Sequence, residues 1–139
     1  MTDGSAHDAR QQEFHRRVPA DPEQLVGLRR ALTQWVGTLG IAPEQQDDVI
    51  LASYEAMANA AEHGYRDSAG GPVEVRAVHR DHSVTVTVTD FGTWKQPDPD
   101  DTYRGRGLPL IETLSDTSAT AHRADGTTVT MSWNLRPDL

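Results

Sequence analysis

Apolar residues recur every three or four positions in two long stretches near the start of the chain. The first stretch follows Asp21, an N-cap acceptor with Pro at the next position, and it ends at Gly40. The second runs from about Pro43 to Gly64. This period predicts two amphipathic helices, each with one face turned toward a core.

Further along the chain the period changes to two. Val and Ala alternate with polar residues over 73–77, and Val alternates with Thr over 84–89. A second alternating pair covers 117–122 and 127–133 and is joined through an Asp-Gly turn at 125–126. Alternation interrupted by short polar turns is typical of half-buried strands, so we expect two antiparallel hairpins.

The remaining segments complete the predicted fold. Residues 1–12 are polar and without periodicity, which predicts a disordered tail, and a short strand is expected at 13–18. A loop rich in Pro, Asp and Gly covers 91–106 and precedes a short helix at 108–114. The order of elements predicts one domain at 13–135. Its fold class is a two-layer α/β (α+β) sandwich, in which about three helices cover one face of a mixed, mostly antiparallel sheet.

The composition excludes several kinds of chemistry. The chain has 139 residues and a formal net charge of -8, and its lack of Cys excludes disulfides, thiol nucleophiles and Cys-based zinc sites. Lys95 is the single Lys and lies in neither a Walker A loop nor a protein-kinase Lys motif, so a bound nucleotide must be held in another way. Net acidity argues against direct binding to nucleic acid. With no long apolar run and no secretory leader pattern, we expect a cytoplasmic protein that does not bind membranes.

The predicted second helix carries polar residues in a regular row. Glu55, Asn59 and His63 follow each other at spacings of four, which places them on adjacent turns of one helical face. A carboxylate and an amide in this arrangement could supply a general base and an oxygen ligand for Mg²⁺. A solvated polar stripe would show the same pattern, so the row alone leaves both interpretations open.

Three Gly-containing segments offer contacts for a nucleotide. Asp90 and Gly92 come where an alternating strand ends, so the carboxylate could accept a hydrogen bond from an exocyclic amine beside a bare backbone. An Arg-Gly-Arg-Gly-Leu run at 104–108 joins the loop to a helix start, where free backbone N–H groups favour phosphate. The turn at 125–128 reads Asp-Gly-Thr-Thr. Each of these segments, taken alone, is common in unrelated proteins.

In order and spacing, the four segments resemble the motifs of the GHKL nucleotide-binding family, which has the Bergerat ATP-binding fold. The likeness is strongest to the small anti-sigma factor serine kinases of the RsbW and SpoIIAB type, which have a histidine-kinase-like ATPase domain, and it covers roughly residues 13–135. The matched positions are Glu55, Asn59, His63 and Gly64 in the N box, Asp90 and Gly92 in the G1 box, Gly105 and Gly107 in the G2 box, and Gly126, Thr127 and Thr128 in the final Gly-Thr box.

The resemblance implies an ATP-binding serine/threonine-protein kinase that phosphorylates an anti-anti-sigma (STAS) partner and sequesters a sigma factor. Glu55 would be the general base for a serine hydroxyl or water, and Asn59 would ligate the Mg²⁺ that bridges the phosphates. Asp90 would bind the adenine amino group, with Thr128 supporting it near the ring. The other implied nucleotide contacts are His63, Gly92, Arg104, Gly105, Arg106, Gly107 and Leu108.

The sequence also departs from the family pattern. Trp94 stands where the G1 box has a second Gly, Tyr103 and Arg104 stand in place of a Glu-Arg pair, and Pro109 follows the G2 box. A second hypothesis is therefore a non-catalytic, partner-binding regulatory module of the same fold with weak or structural nucleotide binding. A third is a chance coincidence of motifs in an unrelated α/β protein. Relatives of this type often pair, so the resemblance leaves a homodimer open. We expect residues 93–104 to be mobile without nucleotide.

Overall fold

The computed structural model describes residues 11–64, 70–92 and 107–136. The elements come in the order that the hydrophobic pattern predicts. They are β1 (Gln11–Pro19), α1 (Pro22–Gly37), α2 (Pro43–Asn59) with a π-helical turn (Ala60–Gly64), β2 (Pro72–Arg80), β3 (Ser83–Asp90), α3 (Gly107–Leu114), β4 (Thr117–Arg123) and β5 (Gly126–Asn134).

The five strands form one sheet in the order β1-β2-β3-β5-β4. All four pairings among the described strands are antiparallel, and the last two strands exchange places so that β5 lies beside the central strand β3. Alternate residues of β2, β3 and β5 are buried, while those between them are half-buried or exposed. The sheet therefore has one covered face, and the expected two-layer fold is confirmed. The sheet was expected to be mixed, mostly antiparallel, and among the described strands it is antiparallel throughout.

The core lies between this covered face and the helices. In α1 the buried residues recur at three and four positions, and in α2 they include a row of small side chains that allows the helix to approach the sheet. The indole N–H of Trp133 in β5 donates to the carbonyl oxygen of Leu114 at 2.7 Å, which ties the end of α3 to the sheet. The buried members of α1 are Leu25, Leu28, Leu32 and Val36, and those of α2 are Gln45, Val49, Ile50, Ala52, Ser53, Ala56 and Met57.

Several boundaries differ from the prediction by a few residues. Asp21 caps α1 as expected, with its side chain accepting from the Gln24 backbone N–H at 3.0 Å. The α-helix ends at Gly37 rather than Gly40, because the next turn is tighter: the N–H groups of Thr38 and Leu39 bond to carbonyl oxygens three residues back, at 3.0 and 3.1 Å. Strand β1 begins at Gln11, two residues before the predicted strand, and the rest of the predicted tail lies outside the described residues.

The second helix changes its winding before it ends. We expected one continuous helix to Gly64, but the α-helix ends at Asn59 and the chain continues as a π-helical turn over 60–64. Such turns widen the helix by one residue per hydrogen-bonded ring and are frequent at functional sites. The last predicted turn of the N box therefore follows a different path from the first two.

No helix within the described residues is both long and apolar enough to cross a lipid bilayer.

Ser53 gives a test of the helix–sheet packing. Its hydroxyl is fully buried and has no hydrogen-bond partner among the described residues, whereas the Ser115 hydroxyl donates to the Ile111 carbonyl oxygen at 2.6 Å. Removing an unpaired buried hydroxyl relieves its desolvation cost, so we expect Ser53→Ala to raise the free energy of unfolding by about 1 kcal/mol. Urea unfolding measures this change.

Ser115→Ala is the matched control for Ser53→Ala. It removes a hydroxyl that is already bonded, so it should lower the free energy of unfolding by about 1 kcal/mol. A loss of stability in Ser53→Ala similar to that in Ser115→Ala would contradict the assignment of an unpaired Ser53 hydroxyl.

Candidate functional site

Asp90 ends the central strand with its side chain on the covered face of the sheet. It is 2% exposed and lies between Val73 of β2 and Thr127 of β5 in the register of the sheet. Its Oδ1 accepts the Gly92 backbone N–H at 3.1 Å, which fixes the chain as it leaves the strand. A buried carboxylate is thus held at the end of β3, and Asp90 does come where the alternating strand was expected to end.

Gly126, the first residue of β5, lies directly against this strand end. A Cβ added to Gly126 would overlap the Asp90 carbonyl oxygen and would lie 3.2 Å from the Asp90 carbonyl carbon and from the Phe91 Cα. Only a residue without a side chain permits this approach. The G1 box and the final Gly-Thr box are therefore in backbone contact.

The threonine beside Asp90 is Thr127, and not Thr128 as expected. Thr127 is 2% exposed, is the register partner of Asp90, and lies on the same covered face of the sheet. Thr128 pairs with Thr89 on the opposite face, with 3.4 Å between the two hydroxyl oxygens. Because successive residues of a strand point to opposite faces, Thr128 and Asp90 cannot share one site. The alternation that turns Val129 inward already indicated Thr127.

A further residue reaches this row from the edge strand. The Thr127 Oγ1 lies 3.1 Å from Nδ1 of His122, its register partner in β4. His122 is exposed at the level of the residue and belongs to none of the four motifs. No pattern in the sequence pointed to it, because its place in the row depends on the pairing of β4 with β5.

Glu55 and Asn59 lie one turn apart on α2, and both are half-buried. Asn59 is the last residue of the α-helix, and the π-helical turn that follows contacts both β3 and β5. The helix end that carries the two residues is therefore adjacent to the strands that carry Asp90 and Thr127. His63 lies within the π-helical turn, so the α-helical spacing that we expected from Asn59 to His63 is not kept.

The phosphate side of the predicted site is described only in part. Helix α3 begins at Gly107, one residue before the predicted start at Leu108, and Pro109 fits in its first turn, where a missing N–H costs nothing. Helix α3 packs against α2, the helix of Glu55 and Asn59. The expected contacts Arg104, Gly105 and Arg106, together with Trp94 and the predicted mobile segment 93–104, lie outside the described residues.

The described part of the site suits a flat, hydrogen-bonding ring better than a protein-bound metal. Asp90 supplies an acceptor, Thr127 supplies a hydroxyl, and Gly92 and Gly126 leave the backbone bare. No group of three or more His, Cys, Asp or Glu within the described ranges is arranged to hold a metal ion.

Comparison with known proteins agrees with this fold. Residues 18–133 match the family model of the histidine kinase-like ATPase domain, which is the class of protein that the fold indicates. The chain is 31% identical over 130 residues to the serine-protein kinase RsbW of Bacillus subtilis (strain 168), covering 83% of this chain and 81% of that protein. It is 32% identical over 115 residues to RsbW of Bacillus velezensis, covering 72% of each.

Solved structures give the same result. The crystal structure of the RsbU and RsbW domains of Rv1364c from Mycobacterium tuberculosis matches with a TM-score of 0.74 and 29% identity over 90% of this chain, which spans 33% of that longer chain. The histidine kinase domain of the Erythrobacter litoralis EL346 blue-light activated histidine kinase shares the fold, with a TM-score of 0.60 and 22% identity over 85% of this chain and 62% of that one. The chain therefore belongs to the histidine kinase-like ATPase domain family, in its branch of RsbW serine-protein kinases.

Gly126 gives a test of how the two motif segments fit together. Gly126→Ala places a methyl group against the Asp90 carbonyl, so we expect the free energy of unfolding to fall by roughly 2–3 kcal/mol. Gly27→Ala is the control, because a Cβ there meets nothing within 4 Å and lies inside α1, where Ala is favoured over Gly by about 0.5–1 kcal/mol. Chemical denaturation of both variants measures these changes in the free energy of unfolding. Equal stability of Gly126→Ala and the unmodified chain would show that β5 does not approach β3 this closely.

Proposed function

We propose that the chain is an ATP-dependent protein serine kinase that phosphorylates a STAS-type anti-anti-sigma partner and sequesters a sigma factor. Its membership of a family whose similar members are serine-protein kinases supports this proposal. The observation that carries the nucleotide half is the buried Asp90, held between Gly92, Gly126 and Thr127 at one strand end.

In this proposal Asp90 recognises the base of ATP. Its carboxylate accepts a hydrogen bond from the exocyclic amine of adenine, and burial strengthens that bond by excluding competing water. Gly92 and Gly126 leave the ring in contact with backbone rather than side chains. Thr127 takes the supporting role that the sequence had suggested for Thr128, because Thr127 shares the covered face with Asp90.

Glu55 is the proposed general base. A half-buried carboxylate one turn before Asn59 is able to accept the proton of a serine hydroxyl of the partner protein. The serine oxygen then forms its bond to the γ-phosphorus while the bond from that phosphorus to the bridging oxygen breaks, and ADP leaves. Phosphoryl transfer depends mainly on positioning and charge neutralisation, which the helix end and the proposed Arg104 and Arg106 contacts would provide.

Asn59 is the proposed protein ligand for Mg²⁺. Residues 41–65 carry five acidic side chains and no Lys or Arg, so this helix would repel a triphosphate in the absence of a cation. When bound, Mg²⁺ supplies neutralisation of the phosphate charge. The remaining proposed contacts with the nucleotide are His63, in the π-helical turn after α2, and Gly105, Gly107 and Leu108 of the G2 box.

Glu55→Gln tests the kinase. The variant keeps the shape of the side chain and removes the base, so transfer of label from γ-labelled ATP to a STAS protein should fall by at least about 100-fold. Affinity for ATP, measured by calorimetry, should stay close to that of the unmodified chain, because in this proposal Glu55 contacts the attacking serine hydroxyl and not the adenine ring. Time courses of labelling with Mg²⁺ present give the measurement.

Glu44→Gln is the control for charge, since Glu44 is exposed in the first turn of the same helix. It should leave both labelling and binding unchanged. Tight binding of the partner with no label in any protein, including the unmodified chain, would support the regulatory module instead of the kinase. Equal labelling by Glu55→Gln and the unmodified chain would remove Glu55 from the catalytic role.

A further inference from the structure

Three polar side chains form a row across neighbouring strands at one end of the sheet. Thr127 of β5 is the register partner of both Asp90 in β3 and His122 in β4. All three residues lie on the covered face of the sheet. The Thr127 hydroxyl is the middle member and lies 3.1 Å from His122 Nδ1. The row therefore extends from the proposed base site to the exposed edge strand.

The direction of the hydrogen bond between Thr127 and His122 determines what the Thr127 hydroxyl can offer a ligand. An ionised Asp90 only accepts hydrogen bonds, and one of its oxygens already accepts the Gly92 N–H. Thr127 has a single hydroxyl proton and two lone pairs. If that proton is donated to His122, the hydroxyl offers only lone pairs to a ligand. If His122 Nδ1 carries the proton, Thr127 accepts from it and keeps its own proton for the ligand.

The chemistry of the base favours the second arrangement. On the edge of adenine that carries the amine, a donor amine stands next to an acceptor ring nitrogen, N1. Asp90 complements the amine, and a hydroxyl donor beside it complements N1. Guanine presents the reverse pair, an acceptor oxygen next to a ring N–H donor, and the same two groups would oppose it.

We propose that His122 is a positioning residue for nucleobase recognition: its Nδ1 donates to the Thr127 hydroxyl and directs the hydroxyl proton toward the acceptor ring nitrogen of the base. This inference rests on the proposed function, in which Asp90 takes the amine of adenine. His122 lies in an edge strand and outside every motif. Selectivity for adenine then depends on side chains from three strands and not on the Asp90 carboxylate alone.

The experiment measures dissociation constants for Mg-ATP by calorimetry. His122→Ala should weaken binding about threefold to tenfold, the equivalent of one hydrogen bond. His122→Asn should restore binding, because its amide nitrogen is as many bonds from Cα as Nδ1 and is able to donate. Thr120→Ala is the matched control, since Thr120 is an exposed residue on the same face of β4 two positions away. It should bind ATP like the unmodified chain.

Two further measurements separate positioning from a general loosening of the fold. In a Thr127→Val background, His122→Ala should cause no additional loss, because the hydroxyl that it orients is gone. With 1-deaza-ATP, which lacks the acceptor nitrogen N1, the unmodified chain and His122→Ala should bind equally. A general loosening would instead weaken the binding of both nucleotides in both backgrounds.

Unchanged ATP affinity in His122→Ala, or a loss that persists with Thr127→Val and with 1-deaza-ATP, would overturn this proposal alone. Absence of ATP binding by the unmodified chain at millimolar nucleotide would overturn the proposed function and this inference together.

Discussion

The contact on which the site depends is the approach of the Gly126 backbone to the Asp90 carbonyl. Because Gly126 has no side chain, the first residue of β5 lies directly against the last residue of β3, to which β5 is paired. Thr127 then follows in register beside Asp90, and His122 beside Thr127. This backbone contact thus brings together the Asp90 acceptor, the Thr127 hydroxyl and the bare backbone of Gly126, which come from two separate motif segments.

The helix layer adds the second half of the proposed site by the same packing that makes the core. Small residues on α2, among them Ala52, Ala56 and Ala60, are buried and let the helix lie close to the sheet. The half-buried side of the helix carries Glu55 and Asn59, and the π-helical turn beyond it contacts β3 and β5. The position of the proposed catalytic groups relative to the base site is therefore fixed by core packing.

The period of the hydrophobic pattern was sufficient to predict the elements, because burial on one face imposes a period of two or of 3.6. It could not predict the π-helical turn, because such a turn contains the same kinds of residue as an α-helical turn and differs in its backbone hydrogen bonds. The expectation of Thr128 differs from the observed Thr127 because a motif specifies residues and not the face of the strand on which they lie. The sequence did not indicate His122 for a different reason. Its contact with Thr127 depends on the order of the strands in the sheet, where β5 and not β4 lies beside β3.

The most direct test of the base site compares ATP with purine riboside triphosphate, which lacks the exocyclic amine, in the unmodified chain and in Asp90→Asn. A hydrogen bond to a carboxylate is worth about 1.5–3 kcal/mol, so the unmodified chain should bind ATP roughly tenfold to 100-fold more tightly than the analogue. Asp90→Asn should reduce this difference sharply while its amide oxygen still accepts the Gly92 N–H. Equal binding of the two nucleotides by the unmodified chain would contradict the account.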